Sequence, residues 1–185
     1  MTANDCIDIG NGAAVLSGSR PDREDQADKR RRPEPTPAQR VLGLLARREH
    51  SSKELARKLT ARGIPAEEAD TTVAHMAAEG WQDDGRFAMS LARMRANTGY
   101  GPVRIRAELG MHGLDSLLID QAFASLAETG DDDWTGRARV LIRRRYGEGV
   151  GSDLARQRKA AVFLQRRGFD SETIRIACRG GADDG

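Results

Sequence analysis

One stretch of this chain occurs three times. The segments ELARKLTARGI (54–64), RIRAELGMHGL (104–114) and KAAVFLQRRGF (159–169) superimpose without a gap, each ending in Leu, three residues, Gly and a large apolar residue. The matched glycines Gly63, Gly113 and Gly168 are 50 and then 55 residues apart, so an insertion of five separates the second copy from the third. A Gly in that position marks the left-handed C-cap of an α-helix, and the apolar residue after it (Ile64, Leu114, Phe169) folds back on the helix end. A unit of about 50 residues buries too little apolar surface to be secure alone, so neighbouring copies must stack. The expected fold is therefore all-α, an elongated array of three tandem three-helix modules.

The other helices follow from the same register. Five residues beyond the Ile64 position stand Ala69, Ile119 and Ile174, and nine beyond it stand Val73, Phe123 and Cys178, which makes one helical stripe repeated. Ahead of each Gly-ended helix lies another amphipathic segment. Phe87, Leu91 and Met94 mark it in the second copy, and Trp134, Ala138, Leu141 and Ile142 in the third. Thr36-Pro37-Ala38-Gln39 opens the first helix with an N-cap hydroxyl, a proline at the first helical position and a Gln at N3. Ser51 with Glu54 reads as a capping box, and Asp84, Asp115, Asp133 and Asp170 stand where N-caps belong. The expected modules span 37–83, 84–130 and 131–185, the last ending in a short polar tail. Residues 1–36, with almost no aliphatic residue between Arg20 and Pro35, are expected to be a disordered leader.

Catalysis needs convergent groups, and none stands out. His50, His75 and His112 have no second histidine or cysteine three or four residues away, and are expected to be scattered surface residues. The pair Asp83-Asp84 and the run Asp131-Asp132-Asp133 are explained by helix capping more economically than by a magnesium ion. Two cysteines, Cys6 and Cys178, are too few for a disulfide framework or a thiolate metal site. Cys178 takes the core position of Val73 and Phe123. No apolar segment is long enough to cross a membrane, and no signal peptide is evident. The expectation is a cytoplasmic, monomeric binding protein without enzymatic activity, cofactor or metal.

The net charge of +2 says little, because the charge is unevenly spread. Between Arg137 and Arg167 ten basic residues face two acidic ones. The Gly-ended middle helices carry Lys53, Arg57, Lys58 and Arg62, then Arg104 and Arg106, then Arg156, Arg158, Lys159, Arg166 and Arg167. The next helices of the first two copies carry only acid: Glu67, Glu68, Asp70 and Glu79, then Asp115, Asp120 and Glu128. That sign speaks against a helix-turn-helix whose last helix enters the major groove, because phosphates repel it. Aromatic residues are 4% of the chain and mostly explained as core, so no stacking platform for single strands is evident.

The order of these pieces resembles the RecX regulatory proteins, bacterial modulators of the RecA recombinase. The resemblance runs over about residues 38–178. It is carried by Ala38-x3-Leu42-x2-Leu45-Ala46-Arg47-Arg48 with SSKELARKL after it, by GWQDDGRFA (80–88), by GYGPVRIRAEL (99–109) and by RRGFD (166–170). It implies a negative regulator that lies in the groove of the RecA nucleoprotein filament and restrains filament extension, ATP hydrolysis and strand exchange, within DNA repair and the SOS response. The cations expected to make that contact are Arg104, Arg106, Arg143, Arg144, Arg156, Arg158, Lys159, Arg166 and Arg167. Asp84 and Phe87, with Gly63, Gly113 and Gly168, read as structural. A weak, salt-sensitive DNA contact accompanies this reading. Two alternatives are an electrostatic DNA-binding regulator that acts without a protein partner and, less favoured, a divalent-metal enzyme using the acidic clusters.

Overall fold

The computed structural model describes residues 34–179. The expected disorder of the leader falls almost wholly outside these residues, as does the polar tail. Among the described residues there are nine α-helices and no strand: α1 (Pro37–Leu45), α2 (Ser52–Thr60), α3 (Ala66–Ala78), α4 (Asp84–Asn97), α5 (Pro102–Met111), α6 (Ser116–Glu128), α7 (Trp134–Tyr146), α8 (Leu154–Arg166) and α9 (Ser171–Arg179), with a 3-10 turn at Val150–Ser152. They form three three-helix modules in tandem, α1–α3, α4–α6 and α7–α9.

Each module has its own apolar centre. Val41, Leu55, Leu59, Ala69, Val73 and Met76 make the first, and Phe87, Leu91, Ile105, Leu109, Leu114 and Leu126 anchor the second. Ile142, Val150, Leu164, Phe169, Ala177 and Cys178 belong to the third. Cys178 is buried as the register predicts, and burial pushes its thiol pKa up. Met94 departs from expectation. The stripe it was to continue turns outward at that point, and Met94 is 46% exposed while Phe87 and Leu91 are buried.

The capping signals set the helix starts, with two corrections. At α1 the box is complete, since Thr36 Oγ1 accepts from Gln39 N while Gln39 Oε1 accepts from Thr36 N. At α2 only half of it forms. Ser51 Oγ accepts from Glu54 N, but the Glu54 carboxylate turns to Arg48 and His50. The cap of α4 is Asp83, whose Oδ1 accepts from Gly85 N and Arg86 N; Asp84 is the first helical residue, and its carboxylate reaches across to α2 instead. Asp115, Asp133 and Asp170 accept from the third residue after each of them, as expected.

The five inserted residues have a structural account. After α7 the chain turns through Gly147 and Gly149, both at positive φ, and makes the 3-10 turn. In the repeat register Pro102, where α5 begins, matches Gln157, yet α8 begins at Leu154 under an Asp153 cap. The third middle helix is therefore extended at its N-terminal end by nearly one turn.

Candidate interaction surface

The middle helices α2, α5 and α8 meet end to start. Gly101 N and Val103 N, at the N-terminus of α5, donate to Arg167 O (2.9 Å) and Gly168 O (3.0 Å), the carbonyls that close α8. Orphan donors of one helix thus satisfy orphan acceptors of the next. The approach is so close that a Cβ on Gly168 would lie 2.3 Å from Arg104 Cβ, and one on Gly101 2.4 Å from Gly168 O. The other junction has the same plan in different chemistry. Lys53 Nζ, in the first turn of α2, donates to Met111 O at the end of α5 (3.1 Å), and Ser51 Oγ lies 3.0 Å from His112 Nδ1. A Cβ on Gly113 would sit 3.3 Å from Lys53 Cδ, whereas one on Gly63 would meet nothing within 4 Å among the described residues.

Asp84 works at this first junction. Its Oδ1 accepts from Ser52 N (2.9 Å) and from Gln82 Nε2 (2.9 Å), and its Oδ2 accepts from Ser52 Oγ (2.7 Å). One carboxylate therefore serves the N-termini of two helices, α2 and α4, where the helix dipoles favour a negative charge. Arg86 ties the same region together, donating to Glu49, Gly80 O and Trp81 O. Two histidines depart from the expected surface placement. His50 is 3% exposed with Nδ1 2.9 Å from Glu54 Oε2, and His112 packs against the Phe87 ring at 4.8 Å. Burial lowers the His50 pKa by more than Glu54 raises it. Burial would raise the pKa of Glu54, but hydrogen bonds from Arg48 and His50 outweigh it and hold the carboxyl at about 2. Sequence reasoning missed this cluster although Arg48, His50 and Glu54 lie within seven residues, because Glu54 reads first as the second half of the Ser51 capping box.

The candidate cations divide by what they touch. Arg143 and Arg144, in the last turn of α7, and Arg158, Lys159 and Arg166 on α8 are exposed and have no carboxylate partner among the described residues. Arg156 is 3.6 Å from Asp153. Arg104 is exposed at the second junction, its guanidinium 4.9 Å from the Tyr100 ring centre. Arg106 is engaged inside the protein: it pairs with Asp120 at 2.7 Å and covers Phe123 at 4.2 Å. Arg167 is more fully engaged, donating to Thr98 O and Gly99 O (both 3.1 Å) while its guanidinium lies between Tyr100 and Phe163. Arg145 covers Phe163 and Tyr146 in turn. The aromatic faces near the basic residues are thus covered by the protein's own guanidinium groups. The acidic residues Glu67, Glu68 and Asp70 of α3 and Asp120 and Glu128 of α6 are exposed.

No group of three metal-ligating side chains occurs among the described residues. Asp131 pairs with Arg137 (2.6 Å) and Asp133 caps α7, so the acidic run is taken up structurally. No described helix is long and apolar enough to cross a membrane.

Three family models match this chain in order: the first three-helix domain of RecX over residues 39–76, the second over 83–122 and the third over 131–178. The regulatory protein RecX of Stenotrophomonas maltophilia (strain R551-3) is 59% identical over 156 residues, covering 84% of this chain and 93% of that protein. That of Xanthomonas campestris pv. campestris (strain B100) is 58% identical over 155 residues, with the same coverage of 84% and 93%. A crystal structure of regulatory protein RecX shares the fold with a TM-score of 0.62 at 23% identity, over 76% of this chain and 70% of that one. A RecX structure from Lactobacillus salivarius gives 0.60 at 20% identity, over 76% and 91%. With all three modules matched in sequence and in order, the chain belongs to the RecX family of regulatory proteins.

Proposed function

We propose that this protein is a negative regulator of the RecA recombinase, a cytoplasmic monomer that lies in the groove of the RecA nucleoprotein filament and restrains filament extension, ATP hydrolysis and strand exchange, within DNA repair and the SOS response. Family membership supports the regulatory role. The observation that carries the mechanism is the set of exposed cations on α7 and α8 that have no carboxylate partner among the described residues, on a molecule whose α3 and α6 expose acid. A nucleoprotein filament offers acidic protein and DNA phosphate side by side, and both attract such a surface. Arg104, Arg143, Arg144, Arg156, Arg158, Lys159 and Arg166 form the contact. Arg106 and Arg167, with partners inside the protein, contribute by shaping it.

The test is ATP hydrolysis by the host's RecA on single-stranded DNA at moderate salt, with this protein far below RecA stoichiometry. Inhibition at such ratios is expected, because too few molecules are present to coat the DNA. Inhibition only at amounts that cover the strand would replace this reading with electrostatic DNA binding that needs no protein partner. Reversing Arg143, Arg144, Arg158, Lys159 and Arg166 to Glu should abolish the inhibition with helical content retained. Full inhibition by that variant would reject the assigned surface.

A further inference from the structure

The two junctions between modules share one plan but are built from different materials. Across the α5–α8 junction run two backbone-to-backbone hydrogen bonds, and Leu141 sits against the Gly99 backbone, within 3.2 Å of where a Cβ would be. Trp134 packs against the apolar centres of both modules, with its ring 6.1 Å from that of Phe123. Across the α2–α5 junction no backbone-to-backbone hydrogen bond is formed among the described residues, and no residue of the second module joins the first apolar centre. Side-chain chemistry holds it instead: Asp84 on Ser52, Lys53 on Met111 O, Ser51 with His112 and Arg86 on Glu49.

From this contrast we infer that the molecule has one hinge, at the α2–α5 junction, where the first module swings about the Asp84–Ser52 contact while the second and third modules move as one arm. Side-chain hydrogen bonds at a partly exposed junction exchange with water one at a time, and losing any one of them exposes no apolar surface. Opening the other junction would uncover Trp134 and leave backbone donors and acceptors unpaired together. Asp84 is suited to be the pivot. Its carboxylate lies on the first turn of α4 and holds the first turn of α2, so the two helices can rotate about one short side chain. If the proposed filament contact holds, such a hinge lets the first module track subunits whose spacing changes while the basic arm stays attached; the hinge itself stands or falls without any partner present.

The test is a pair of spin-label distance measurements on the full chain, in a Cys6→Ser, Cys178→Ala background. Labels at Ala74→Cys and Gln121→Cys, both exposed, span the first junction; labels at Gln121→Cys and Gln165→Cys span the second. The first distribution should be clearly broader than the second. Asp84→Ala should broaden the first further and leave the second alone, and Lys53→Ala, at an exposed position, should do the same more weakly. Equal widths for the two pairs would overturn the inference, and so would a first-pair width that neither substitution changes.

Discussion

Glu54 and His50 show what a buried pair does to a small module. The Glu54 carboxyl is held at about 2, against an ordinary value of 4.5, and His50 is held below its ordinary 6.5. A lowered carboxyl pKa gives stability that is present above about pH 4.5 and is lost as pH falls toward 2. A lowered histidine pKa means the unfolded chain takes up the proton first, so stability also falls as pH drops through 6.5. Both act in the same direction, and the Glu54 contribution is on the order of 3 kcal/mol at neutral pH. Urea midpoints taken from pH 7 to pH 3 should decline throughout, and His50→Gln should remove the part of the slope between pH 7 and 5; an unchanged slope there would place the titration elsewhere. Phe87 is 2% exposed, and Phe87→Ala should lower stability by about 3 to 5 kcal/mol, which a thermal midpoint near that of the native chain would contradict. At this scale the sequence is legible where a residue's role is local. Thr36 and Asp115 are recognisable as caps because the amides they accept from lie only three residues ahead in the chain. Asp84 is not, because its partner Ser52 lies 32 residues away, and a pair of adjacent aspartates gives no sign of which one caps the helix and which one crosses to another.

Helices are where sequence and structure agree best, and the reason is periodicity. The Leu-x3-Gly-apolar ending reports a helix, its left-handed terminus and the turn-back in a single pattern. In the second and third modules that terminus requires glycine for two reasons, its own backbone and the neighbour packed against it. Gly168 has φ +82° and would place a Cβ 2.3 Å from Arg104 Cβ and 2.6 Å from Arg104 N, whereas Gly63, at φ +84°, would meet nothing within 4 Å. Gly63→Ala should therefore cost about 1 kcal/mol, the strain of the backbone alone. Gly168→Ala should cost at least about 3 kcal/mol, since the junction must also move apart. Chemical denaturation of both variants decides it: similar losses would show that the end-to-start contact yields without resistance. The contacts of Arg167 with Tyr100 and of Arg145 with Phe163 were not legible, because each joins different parts of the chain, whereas Arg104 lies only four residues from Tyr100.

For the whole molecule, the sequence yielded the number of modules and their order, since repetition is visible without coordinates. It carried the sign of the charge on each helix as well. It could not say which cations are engaged inside the protein, because Arg167 and Arg166 look alike until the carbonyls of Thr98 and Gly99 are placed beside one of them. The two junctions do differ in sequence, with Gly101-Pro102-Val103 at one where the other has Ser51-Ser52-Lys53, but what those residues touch is set by the fold. The extra turn of α8 carries a further consequence. α2 and α5 each receive the next module at the N-terminus, and in α8 that place is filled by Leu154, Ala155 and Arg156 under the Asp153 cap. Whatever meets that end of α8 therefore meets a closed helix start, its first amides already bonded to Asp153, and not the seat that α2 and α5 give to the following module.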